Sequence, residues 1–137
     1  MFKRMLMIVM LGLLVPVMAQ GNGISGVWRS NFTDPNYGPG MVELVLQANG
    51  RFSQLTYYQA GAQVYIAGTY RFPAGGVLRL DIQQAEPRQY CGPLGCNPIY
   101  YPDGETHYFR LEGRNTLVLR LVTCQQGLCE FVYRRVQ

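Results

Sequence analysis

The sequence predicts an all-β fold, an eight-stranded antiparallel up-and-down barrel, with a two-sheet β-sandwich as the alternative. Three observations lead there. Beyond the first twenty residues no window keeps a 3.6-residue apolar period. Apolar and polar residues alternate with period two instead, and turn residues separate the alternating runs.

Two runs are the clearest. In Val77 to Gln84, Leu78, Leu80 and Ile82 alternate with Arg79 and Asp81. In Thr116 to Thr123, Leu117, Leu119 and Leu121 alternate with Val118, Arg120 and Val122. Six further strands are predicted over Gly26 to Thr33, Met41 to Ala48, Arg51 to Gln59, Ala62 to Phe72 (bent at Gly68), Glu105 to Glu112, and Cys129 to Arg135. One face of each should be core and the other should meet solvent.

The connections divide by length. Asn49-Gly50 predicts a type I′ hairpin, and Pro73 to Gly76 and Gly113 to Asn115 are also short. Asp34 to Gly40, Ala85 to Gly104 and Cys124 to Cys129 are longer, with the brief Ala60-Gly61 between them in order. In a meander, odd and even connections fall at opposite ends, so one tight end and one elaborated end are expected. Only Ala85 to Gly104 could supply the crossover a Greek-key sandwich needs, which favours the barrel. Closure also removes exposed sheet edges. An eight-stranded barrel is either filled by side chains or just wide enough for one small ligand.

Residues 1–19 are expected to be a cleaved signal peptide. Lys3 and Arg4 form a positive n-region, Met5 to Val15 an apolar run, and Val17-Met18-Ala19 a small-residue cleavage pattern after Pro16. The run is short for a hydrocarbon core of about 30 Å, so no membrane span is expected after cleavage. Residues 20–137 are then one secreted or periplasmic domain beginning at Gln20. Removing Lys3 and Arg4 from a formal charge of +4 leaves +2. The remaining basic residues are arginines scattered from Arg29 to Arg135, without the stripe that nucleic acid would require. No nucleic-acid partner is expected.

Cys91, Cys96, Cys124 and Cys129 form an even set in an exported chain, which reads as two disulfides rather than a zinc site. Three pairings are possible, and the two local ones, within C-G-P-L-G-C and C-Q-Q-G-L-C, are expected. No metal and no cofactor is expected.

Gly26-Val27-Trp28, an arginine at the end of the last strand (Arg134 or Arg135), and Gly68-Thr69-Tyr70 resemble the lipocalin-like (calycin) barrels, in the form of their small bacterial relatives. The resemblance implies a tryptophan at the closed base of the barrel with an arginine packed across it, a stacking that the indole face favours. Two departures stand beside it: the chain has no counterpart of the T-D-Y motif, and no helix follows the last strand.

Catalytic residues are not evident, and the protein is expected not to be an enzyme. G-x-S-x-G, H-E-x-x-H and a phosphate loop are all missing from the sequence. The single histidine, His107, shares a face with Glu105, Phe109 and Leu111. It is expected to be buried or at the rim and satisfied by a tyrosine hydroxyl. Two readings of function follow. In the first, the barrel holds a small apolar or amphipathic ligand, with walls from Phe52, Tyr70, Leu80, Phe109, Leu119 and Phe131, and Leu44 or its neighbours beside them. In the second, the core is filled and the loop Ala85 to Gly104, with Tyr90, Tyr100 and Tyr101 around the Cys91–Cys96 clip, binds another envelope or extracellular protein. Prolines and a small ring stiffen such a loop, and loop tyrosines are common at interfaces. Phe52, Tyr70, Phe109, Phe131 and Tyr133 on inward faces favour a filled interior.

Overall fold

A computed structural model describes residues 23–127 and 129–136. The expected signal peptide and its cleavage site at Ala19-Gln20 lie outside the described residues. Ten strands follow in order: β1 (Gly26–Asp34), β2 (Gly38–Leu46), β3 (Arg51–Tyr58), β4 (Gln63–Ala74), β5 (Val77–Glu86), β6 (Gln89–Gly92), β7 (Gly95–Pro98), β8 (Gly104–Glu112), β9 (Thr116–Leu121) and β10 (Glu130–Arg135). Eight of them close a barrel in the order β1-β10-β9-β8-β5-β4-β3-β2, every pairing antiparallel. The up-and-down barrel is therefore the fold, and the sandwich is not.

Period-two alternation explains the packing. Trp28, Leu44, Leu46, Phe52, Leu78, Leu80, Leu117 and Leu119 come from five strands and are all at most 2% exposed. Each such side chain contributes about 1.5–3 kcal/mol relative to exposure. The outer face carries charge instead: Arg29 pairs with Glu43, Arg71 and Arg79 with Asp81, and Arg110 with Glu112 and Glu130. An apolar inside and a charged outside reverse the order of a transmembrane barrel.

The two ends differ as the connection lengths predict. The turns after β2, β4 and β8 close the tight end, and those after β1, β3, β5 and β9 lie at the other. Two expectations need correction. The first connection is not long, because pairing runs on to Asp34 opposite Gly38. The Asp34 carboxylate accepts the backbone N–H groups of Asn36 (2.7 Å) and Tyr37 (3.1 Å), so three residues complete the turn. Nor is Asn49-Gly50 a type I′ turn, which needs positive φ at both central residues. Gly50 has φ 86°, and among the described residues no non-glycine has positive φ. The loop instead spans Gln47 to Gly50: Gly50 N–H donates to the Gln47 carbonyl, and the Asn49 side chain accepts Arg51 N–H.

Gly68 bends β4 as expected. The register shifts between Ala67 and Gly68, and a Cβ at Gly68 would lie 1.9 Å from the Asp81 carbonyl oxygen. The backbones of β4 and β5 meet here more closely than any side chain permits.

The segment 87–103 is not the structureless loop that its composition suggests. It folds into a separate hairpin, β6–β7, in which Cys91 pairs with Cys96 both in register and by disulfide. The second disulfide joins Cys124 to Cys129. Both expected local pairings are present, and both sit on connections of the elaborated end.

Candidate functional site

The barrel interior is layered, and its chemistry changes from one end to the other. At the tight end Trp28 is fully buried, and its indole N–H donates to the Ile24 carbonyl at 2.8 Å. Arg135 lies over the ring with its guanidinium carbon 4.2 Å from the centroid. The same guanidinium donates to the carbonyls of Gly23, Ser25 and Arg114, tying the chain entering β1 to the β8–β9 turn. Of the two arginines the sequence offered, Arg135 holds the indole. Arg134 pairs with Arg29 in register and is exposed.

Above this base lies a polar layer. Ser30 and Thr56 flank Val42 across β1, β2 and β3, and all three are buried. On the β8 side Glu105 and His107 face inward, opposite Leu80 and Leu78 of β5. His107 Nε2 stands 3.1 Å from a Glu105 carboxylate oxygen. A carboxylate only accepts, so the Nε2 proton points at Glu105, and in the neutral ring Nδ1 is left as an acceptor. That Nδ1 is buried and has no hydrogen-bond partner among the described residues. The expected tyrosine partner is thus replaced by Glu105, because residues two apart on one strand share a face. Tyr133, from β10, is also buried, and its hydroxyl is held well above the usual phenol range, first by desolvation and then by the Glu105 charge.

At the elaborated end aromatic rings follow one another. Tyr37 packs on Tyr58 with centroids 5.5 Å apart, Tyr58 meets Phe32 edge-on at 5.7 Å, and Phe32 meets Phe131 at 5.7 Å. Gly40 permits this run. It sits between Phe32 and Tyr58 in register, and a Cβ there would come within 2.5 Å of the Phe32 ring.

The six wall residues named from sequence distribute unevenly over these layers. Phe52, Leu80 and Leu119 are packed in the core. Tyr70 turns toward the tight end, where its hydroxyl donates to the Gln47 carbonyl, and it stacks through Phe72 toward Phe109. Phe131 alone among the six joins the aromatic run at the elaborated end. Ser30 and Thr56 were not picked out as site residues, although counting in twos from Trp28 and Phe52 would have turned both inward.

The three loop tyrosines separate as well. Tyr101 folds back onto the core, and its hydroxyl donates to the Pro87 carbonyl at 2.8 Å. Tyr90 and Tyr100 stay exposed, and Leu94 at the hairpin tip is wholly so. A cleft of about 400 Å³ at the tight end is lined by Gly23, Leu111, Gly113, Arg114, Asn115 and Arg135. Arg135 already occupies the Gly23 and Arg114 carbonyls there.

No protein-family model matches the chain, and no curated protein matches it in sequence.

Proposed function

We propose that the protein is an exported, non-enzymatic binding barrel that takes a small apolar or amphipathic ligand through its elaborated end. The observation that carries the reading is the buried Nδ1 of His107, which has no hydrogen-bond partner among the described residues, in a polar layer set within a largely aliphatic and aromatic interior. A buried acceptor without a donor costs about 1–3 kcal/mol, and a ligand hydroxyl or amide would relieve that cost. Phe131, Phe32 and Tyr58 supply apolar walls above it, while the packed Trp28 base bars passage through the other end. The lipocalin-like resemblance, carried by Gly26-Val27-Trp28 and now by Arg135, agrees with this use, and the two disulfides are typical of extracellular or periplasmic proteins. Native mass spectrometry of the exported protein, with displacement of a hydrophobic fluorescent dye, tests the reading. A bound small molecule or saturable dye binding is expected. The absence of both a copurifying molecule and dye binding would overturn it.

A second reading has its own observation. The disulfide-clipped hairpin β6–β7 carries Tyr90 and Leu94 into solvent, as a protein-docking finger would, and exposed Tyr100 follows it in the chain. Replacing residues 88–99 by a short glycine linker should abolish association with an envelope or extracellular protein and leave dye binding intact. Unchanged association would dismiss the finger.

A further inference from the structure

The interior polar layer restricts what the barrel can hold. Its ionisable members are Glu105, His107 and Tyr133. Ser30 and Thr56 add only neutral hydroxyls. While Glu105 is ionised, its carboxylate offsets any charge on His107, so the pair offers no net positive charge to an anionic ligand. Arg79 and Arg135 are engaged elsewhere. Arg79 bonds Asp81 and the Thr106 hydroxyl, and Arg135 serves the base.

We infer that the ligand is a neutral apolar molecule ending in a hydroxyl or N–H donor, and not a carboxylate such as a fatty acid. This rests on the binding-barrel reading above. A carboxylate brought to His107 would lose its hydration beside Glu105 with no cation in exchange, and burying an unpaired charge is among the costliest steps available to a protein. It also carries no proton for the orphaned Nδ1. A hydroxyl donates one, completing a line in which the ligand O–H points at Nδ1 and the Nε2 proton points at Glu105. The donor end would lie against His107, and the apolar body would extend along the packed run of Phe131, Phe32 and Tyr58.

The test compares 1-decanol with decanoate on the intact protein, by displacement of a bound hydrophobic dye. His107 is the sole histidine, so nitrogen-15 NMR of its imidazole reports on one site. Decanol is expected to displace the dye at a concentration at least about tenfold below decanoate, as one satisfied buried acceptor implies, and to shift the Nδ1 resonance. Glu105→Gln keeps an acceptor for Nε2 but removes the charge, and should narrow that preference about tenfold. Decanoate matching or exceeding decanol, decanol binding without an Nδ1 shift, or an unchanged preference in Glu105→Gln would each overturn the inference. So would dye binding that neither probe displaces. In all four results the dye still binds and the barrel reading stands. Failure of the dye itself to bind, with no copurifying molecule, would remove both.

Discussion

Arg135 covers Trp28: its guanidinium carbon stands 4.2 Å from the indole centroid while its nitrogens bind three backbone carbonyls. One side chain from the last barrel strand thereby closes the base, joins β10 to the approach of β1, and holds the β8–β9 turn. Arg135→Ala should cost about 2–3 kcal/mol, since charge-assisted hydrogen bonds and a partly desolvated cation–π contact disappear together. Urea unfolding measures it. Arg134→Ala is the control and should stay within about 0.5 kcal/mol; equal losses at both positions would show that the base is not held this way.

Gly68 and Gly75 make a contrast in backbone room. Gly68→Ala must push the Asp81 carbonyl aside, and should destabilise the barrel by about 3 kcal/mol or more. A Cβ at Gly75 meets nothing within 4 Å. Gly75→Ala should therefore change stability by less than about 1 kcal/mol, in either direction. Thermal or urea midpoints of the two variants decide the matter.

The Cys91–Cys96 disulfide fastens a hairpin that stands apart from the barrel sheet. Replacing both cysteines by serine should leave the barrel unfolding free energy within about 1 kcal/mol, because local units open independently of the global fold. Amide exchange should nonetheless accelerate across Gln89 to Pro98. A drop in barrel stability of several kcal/mol would mean that the hairpin is part of the cooperative core.

Tyr133 gives the protein an alkaline limit. Its phenol is raised above the ordinary value of 10.0 by burial and by Glu105. A group raised in the folded state contributes stability that is complete below its unfolded pKa and falls as pH climbs above it. Stability should thus decline from about pH 10 upward, and in an ultraviolet titration Tyr133 should ionise only with unfolding. Tyr133→Phe should flatten that decline. An unaltered alkaline profile in the variant would assign the limit to other groups.

Much of this was legible in the chain because barrel strands write themselves locally. Alternation in Val77 to Gln84 and Thr116 to Thr123 marks buried faces without reference to any partner, and Gly68, Gly113 and the paired cysteines punctuate them. The sequence by itself therefore determined strand order, the inward faces, the two local disulfides and the contrast between the two ends. Other features depend on residues far apart in sequence. Arg135 rather than Arg134 reaches Trp28 because register with β1 decides which of two adjacent side chains lies over the indole. Asp34 closes a turn that composition made look long, and residues 89–98 become a hairpin through cross-strand pairing that proline-rich composition conceals. The polar layer is the plainest case. Ser30, Thr56, Glu105, His107 and Tyr133 come from four strands, and only closure of the sheet turns them toward one interior, leaving one imidazole nitrogen without a partner among the described residues.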